Sequence, residues 1–161
     1  MTMSPWRYSI SLLALVAAGC ASTPQASLEQ DQLAKQFAAR PDAATVYIYR
    51  PGSYFDNRVE DLSSVLYIDQ RLVGSTMAGV YFVVHVSAGE HVLSGIATDQ
   101  GNMTFQVQAG RLYFISLRVQ NGNSVFTQVS VETGKREVSN CCTLQENANP
   151  DQKPFFPRLQ L

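Results

Sequence analysis

Residues 103–132 read MTFQVQAGRLYFISLRVQNGNSVFTQVSVE, and their period is two. Met103, Phe105, Val107 and Ala109 alternate with Thr104, Gln106 and Gln108. Tyr113, Ile115, Leu117 and Val119 alternate with Phe114, Ser116, Arg118 and Gln120. Beyond Asn121-Gly122-Asn123, Val125, Thr127, Val129 and Val131 share one face, with Phe126, Gln128, Ser130 and Glu132 on the other. A period of two is the pattern of strands with one buried and one wetted face. Asn121-Gly122 is the strongest hairpin signal in the chain, because a type I′ turn needs positive φ at both central residues.

Working outward, the same period recurs upstream. Val80, Phe82, Val84 and Val86 share a face, with Tyr81, Val83 and His85 opposite, and Ala88-Gly89-Glu90 turns the chain into the strand His91 to Thr98. Val65 to Asp69 and Leu72 to Gly74 flank Gln70-Arg71 as a hairpin. Thr45 to Tyr49 (TVYIY) is apolar on both faces and runs into Pro51-Gly52, which reads as a strand buried on both sides that ends in a turn. About seven short strands at this spacing predict an all-β domain, a mainly antiparallel β-sandwich or small barrel.

Two short helices flank the strands. Ser27 with Gln30 fits a capping box ahead of a partial apolar stripe, which predicts a helix over Ser27 to Ala39, ending before Pro41. Thr133-Gly134 is read as the end of the last strand, and Lys135 to Leu144 as a short C-terminal helix. Residues 147–161 hold three prolines and little periodicity, and read as an irregular tail in which Phe155 and Phe156 are free to dock on the domain.

At 161 residues the chain accommodates one domain with a real core, and 45% hydrophobic with 16% charged residues excludes a chain disordered as a whole. A net charge of −1 supplies no cationic surplus for a phosphate backbone, so no nucleic acid partner is expected.

The N-terminus gives an address. Arg7 precedes the apolar run Ile10 to Ala18, and Ala17-Ala18-Gly19 leads to Cys20. That is the three-part layout of a secretory signal, and its nine-residue apolar run is short of the ~20 residues a bilayer span needs. Small residues immediately before a Cys resemble the lipobox of bacterial lipoproteins, although Ala17 stands where Leu is usual. The resemblance implies that Cys20 becomes the first mature residue and carries acyl chains, anchoring the chain to a bilayer. Ala21 is not Asp, which by the same resemblance points to the outer membrane, facing the periplasm. The expected organisation is a signal peptide over 1–19, then the lipidated Cys, a flexible tether at Ala21 to Ala26 and the short helix over 20–43. The β-sandwich follows over 44–146 and the tail over 147–161.

Tyr47-Ile48-Tyr49-Arg50-Pro51, Tyr67-Ile68-Asp69 with Val73-Gly74, Gly79-Val80-Tyr81-Phe82 and Ala88-Gly89-Glu90-His91 occur in one order. Together these motifs resemble the bacterial lipoprotein family catalogued as domain of unknown function 2846, over roughly Ala43 to Leu144. Gln70 stands where a Gly more often follows the Asp in that family. The resemblance implies a β-sandwich-like envelope domain and supplies no reaction.

Chemistry-bearing residues are sparse. No nucleophile elbow or zinc-protease helix is present, and His85 and His91 are read as a strand residue with one hydrogen bond and a turn-fixing residue. Cys141-Cys142 is read as one buried thiol beside an incidental one, with a vicinal disulfide, an intermolecular bridge or a metal pair as alternatives. No catalytic residue, cofactor or metal is assigned. The candidate binding loop is Gly52 to Ser64, where Tyr54 and Phe55 accompany Asp56, Arg58, Glu60 and Asp61. Aromatic and polar groups on a loop suit recognition of a sugar or peptide, while the plainer reading is a solvated loop capping the sheet end. The expected function is non-enzymatic binding of an unidentified envelope protein or glycan. The alternatives are a small hydrolase or thiol redox protein using His85, His91 or Cys141, and a carrier of a small apolar ligand.

Overall fold

β1 (Ala44–Arg50) is the strand with both faces covered, and the two cores of the protein lie on either side of it. The computed structural model describes residues 23–52 and 63–148. Among the described residues, the strands in chain order are β1, β2 (Ser64–Ile68), β3 (Arg71–Thr76), β4 (Val80–Val86), β5 (Gly89–Ile96), β6 (Gln100–Val107), β7 (Leu112–Gln120), β8 (Asn123–Val129) and β9 (Thr143–Leu144). They form a five-stranded sheet in the order β8-β7-β1-β4-β9 and a four-stranded sheet in the order β3-β2-β5-β6. The two face each other as a sandwich and close no barrel.

Alternation sorts β1 between the layers. Val46 and Ile48 point into the inter-sheet core with Leu66, Phe82, Leu93 and Ile115, whereas Tyr47 and Tyr49 point outward to a second core with Tyr81, Val83 and Phe114. That second core is covered by α1 (Leu28–Ala34) and α2 (Val131–Cys141), which contribute Ala34 and Val138. Every residue of β1 is therefore buried. The strand pairs antiparallel with β4 and parallel with β7, a mixed centre in an otherwise mainly antiparallel sandwich.

The sheets approach most closely where β8 lies over β5 and β6. A Cβ at Gly101 would sit 1.7 Å from the Ser124 carbonyl oxygen, and one at Gly95 would meet the Ser124 side chain at 2.7 Å. Beside this contact Ser64 and Ser124 share a buried 2.7 Å hydroxyl hydrogen bond.

Several local expectations are corrected. α1 has the expected capping box, with Ser27 accepting from the Gln30 amide and Gln30 answering at the Ser27 amide, but it ends at Ala34 instead of Ala39. Phe37 takes a left-handed conformation (φ 52°) and packs its ring on Tyr47 and Phe114, so ring burial outweighs further helix. The β2–β3 turn is Asp69-Gln70, both at positive φ, one residue earlier than Gln70-Arg71. In β8, Phe126 faces the inter-sheet core and Val125 is exposed, the reverse of the expected faces. Thr133-Gly134 lies inside α2, which starts at Val131 because the Ser130 side chain accepts from the Thr133 amide. Gly134 has a packing role there: a Cβ on it would fall 2.1 Å from Phe114 Cγ.

The ends of the described chain are stitched to each other and to the sandwich. Ala26 N–H donates to the Leu144 carbonyl, Glu146 N–H donates to the Pro24 carbonyl, and Gln25 bridges Gln145. Thr23 Oγ1 accepts from the Ser75 amide of edge strand β3. Thr23 to Ala26 are thus part of the folded body and not of the expected tether, whose first residues, Ala21 and Ser22, lie outside the described residues. At the other end, Asn147 is buried and donates to the Val83 carbonyl, and Ala148 N–H donates to the Val73 carbonyl. Phe155 and Phe156 lie outside the described residues.

Candidate functional site

The candidate loop leaves the sandwich at the end of β1. Its residues Tyr54, Phe55, Asp56, Arg58, Glu60 and Asp61 lie outside the described residues, as does Cys20. What surrounds the loop's point of departure is described. Arg50 is buried at the end of β1, and its carbonyl accepts from the Gly79 amide ahead of β4. Tyr49, one residue earlier, reaches outward and donates a 2.6 Å hydrogen bond to Glu137 Oε2 on α2. Burial, together with the hydrogen bond and charge of Glu137, raises the Tyr49 pKa; Ser116 and Arg118 on β7 offset only part of this. The phenol therefore stays protonated near neutral pH and acts as a donor.

Cys141 and Cys142 close this end of the molecule as a vicinal disulfide, which replaces the expected pair of independent thiols. Cys142 is buried where α2 gives way to β9, and the Thr143 amide donates to the Gly79 carbonyl. A disulfide stabilises by closing a loop of the unfolded chain, and adjacent residues enclose the smallest loop available. Its effect is accordingly local: it fixes the step from helix to strand beside Arg50 and Gly79.

Asp31 ties the layers together. Its Oδ1 accepts from the Tyr81 hydroxyl at 2.9 Å and the Leu144 amide at 2.9 Å, and its Oδ2 pairs with Lys35 Nζ at 2.8 Å. Lys35 also donates to the Cys142 carbonyl. Tyr47 donates to the Ala34 carbonyl at 2.7 Å. Burial raises the pKa of both Tyr47 and Tyr81, and for Tyr81 the Asp31 carboxylate adds to it. Neither phenol is a base or nucleophile near neutral pH.

The histidines and Cys141 are not brought together. His85 sits on the outward face of β4 at the end opposite β9, about 16 Å along the strand from Val80, given a rise of ~3.3 Å per residue. Its Nδ1 lies 3.2 Å from Thr45 Oγ1, and its buried Nε2 has no hydrogen-bond partner among the described residues. Burial, and then the Arg40 charge, pull its pKa down to about 4. His91 belongs to the other sheet. Its Nδ1 lies 2.6 Å from Asp69 Oδ2 and its Nε2 2.9 Å from the Ser87 carbonyl. Both partners accept, so the doubly protonated ring satisfies both contacts. Burial works against the charge, but Asp69 and the Ser87 carbonyl outweigh it, and the His91 pKa is raised. The ring buckles the β2–β3 turn to the β4–β5 turn.

Among the described residues, no group of three or more His, Cys, Asp and Glu could hold a metal ion, and no helix is long and apolar enough to cross a membrane. Glu137, Tyr49, Ser116 and Arg118 escaped sequence reading. Tyr49 reads as one more apolar residue of a strand, and its partner lies 88 positions away.

Two face-packed sheets, with both helices on one of them and the ends of the described chain joined at the seam, define the class: a helix-capped β-sandwich. The chain belongs to the family described as protein of unknown function (DUF2846), whose model matches residues 40–130. It is similar to an uncharacterized protein of Haemophilus influenzae, 33% identical over 139 residues that cover 83% of this chain and 80% of that protein. No solved structure matches it.

Proposed function

We propose that the protein is a lipid-anchored, non-enzymatic envelope lipoprotein, held at the outer membrane through acylated Cys20 and facing the periplasm, whose sandwich binds another envelope component, protein or glycan. The observation that carries this reading is the position of Thr23. Bonded to the Ser75 amide only three residues after Cys20, it leaves at most about 10 Å of chain between the lipidated sulfur's residue and the folded body. Two or more acyl chains suffice for stable anchoring without a spanning helix. The non-enzymatic part is supported by the scatter of His85, His91 and Cys141 over separate parts of the fold. The binding part draws on a loop that starts beside Arg50, Glu137 and the disulfide and returns to the other sheet at β2.

The test has two arms. Mass spectrometry of the native N-terminus should find acyl chains on Cys20, and Cys20→Ala should abolish them. In-cell crosslinking with residues 53–62 replaced by a Gly-Ser linker should lose partners that the wild type captures. An adduct that survives Cys20→Ala overturns the anchor, and identical crosslinked sets overturn the loop's role.

One observation favours a second reading, that of a thiol redox protein: the disulfide joins Cys142 to a half-buried Cys141. Turnover of a dithiol substrate that disappears in Cys141→Ser would establish it. The carrier reading draws no such support, because the space between the sheets is occupied by large apolar side chains such as Phe82, Leu93, Phe105 and Ile115.

A further inference from the structure

Among the described residues, the four-stranded sheet keeps one face open. Both helices pack on the other sheet, and alternation sends Leu66, Ile68, Val73, Leu93 and Phe105 inward. The outward positions fall into rows fixed by the strand register. Val65 stands opposite both Ser75 and Ile96, and Tyr67 opposite both Leu72 and Ser94. Val92 stands opposite Thr104 one row further on.

Val65 with Ile96 and Tyr67 with Leu72 form an apolar stripe across β3, β2 and β5, and Val92 stands diagonally from Tyr67 beyond Ser94. Leu72, Val92 and Ile96 are 39%, 40% and 42% exposed. The positions beside them, Ser75, Ser94 and Thr104, are polar but uncharged, and charge returns only at the margins, with Asp69, Arg71, Glu90 and Asp99. An open sheet face ordinarily carries charged residues between its strands' apolar ones. This one has an uncharged centre, which suits contact with another uncharged or zwitterionic surface.

The place where the chain leaves the fold names the occupant. Thr23 is bonded to the amide of Ser75, which stands in the same row as Val65 and Ile96. Neighbouring strands lie about 4.8 Å apart, so Val65 is one strand and Ile96 two strands from Ser75. Cys20 is three residues from Thr23, a reach of about 10 Å.

We infer that the open face of the four-stranded sheet is the membrane-facing side of the protein, laying Val65, Tyr67, Leu72, Val92 and Ile96 against the interfacial region of the bilayer that holds its acyl chains. The inference rests on the lipid-anchored reading of Cys20. A contact of this size is too weak to recruit a free protein, but tethering makes it intramolecular, at an effective concentration on the order of millimolar for a short linker. Tyr67 places a ring with a polar tip at the centre of the stripe, where one end is apolar and the other wet. The helix-capped face is then left to the periplasmic side.

The experiment uses the mature acylated protein purified from the envelope; the chain's single tryptophan, Trp6, falls in the signal peptide that acylation at Cys20 requires to be removed, so an introduced indole is alone. The protein is reconstituted into phosphatidylethanolamine–phosphatidylcholine vesicles with brominated acyl chains. Tyr67→Trp should lose most of its emission to the bromines and shift to shorter wavelength, while Arg136→Trp, exposed on α2, should keep its emission. Adding Ile96→Asp to Tyr67→Trp should restore emission with the acyl mass on Cys20 unchanged. An acylated Tyr67→Trp protein that is not quenched overturns the inference and leaves the anchor standing. A concentration-dependent blue shift without quenching overturns it in favour of a second copy on the stripe. Absence of the acyl mass overturns both.

Discussion

His85 and His91 are two imidazoles on one scaffold with opposite responses to acid. His85 is buried with its Nε2 unbonded among the described residues, so charging it is costly. Its stabilising contribution is complete above the ordinary value of 6.5 and is lost as pH falls towards about 4. His91 has acceptors at both ring nitrogens. Because its pKa is raised in the folded state, its contribution is complete below 6.5 and is lost as pH rises through the folded value. Asp69, lowered by His91 and the Val92 amide against the opposing effect of burial, contributes above 3.8 and loses that contribution as pH falls through its folded value. The ion pair is therefore strongest in mildly acidic solution. Asp69 is nearly half exposed, so the pair is worth about 1 kcal/mol or less. Asp69→Asn retains an oxygen for the Val92 amide and removes the charge. Urea denaturation should show wild type ahead of Asp69→Asn at pH 5.5, with the gap narrowing by pH 8.5; a gap that widens instead would refute the assignment. None of this is readable from two isolated histidines, because the partner at position 69 reaches His91 only through the register of β2 against β5.

Among the elements, α2 was the hardest to foresee and is the easiest to break. The run Val125, Val129, Val131 keeps its alternation straight through Ser130, so periodicity carries a strand past the point where the Ser130 cap begins a helix. The capping serine was the available signal, and alternation masked it. α1, by contrast, was legible at its start because Ser27 and Gln30 form a reciprocal pair, and illegible at its end because Phe37 stops the helix to reach a ring cluster that only the folded chain assembles. Gly134 shows how closely α2 is seated. Alanine gains about 1 kcal/mol of helix propensity over glycine, but its Cβ would overlap the Phe114 ring, and such overpacking costs roughly 1–3 kcal/mol, more where nothing yields. Phe114 is fully buried. Gly134→Ala should therefore lower the urea midpoint, with a net loss of about 2 kcal/mol; an unchanged or raised midpoint would mean that α2 stands off the sheet.

For the whole molecule, alternation showed that β1 is covered on both sides, since residues 45–49 are apolar on both faces, but it assigned the faces of β8 the wrong way round. It did not reveal that β1 lies parallel to β7, because a period of two records a face and not a neighbour. Of the candidate site, the loop's departure from β1 followed from Pro51-Gly52, whereas the disulfide and the Tyr49–Glu137 contact depend on folding distant segments together. Closure of the sandwich depends on Gly101. Its missing side chain lets β6 meet the Ser124 backbone, which cannot rotate aside. Gly101→Ala should cost about 3 kcal/mol and open the β6–β8 contact, seen as faster amide exchange in both strands; wild-type exchange rates would show that the sheets do not depend on this approach.

The seam between Pro24–Ala26 and Leu144–Glu146 has a temporal consequence. A chain delivered vectorially, amino end first, must wait for its last strand before Pro24 and Ala26 find their partners at Glu146 and Leu144. Until residues 112–120 follow, β1 can pair with β4 but lacks β7, and the unpaired edge needs shielding from neighbouring chains. Pairing across so many intervening residues also slows ring closure in the conformational search. The rate-limiting event of maturation is thus expected late, when the carboxyl end folds back to seal the amino end.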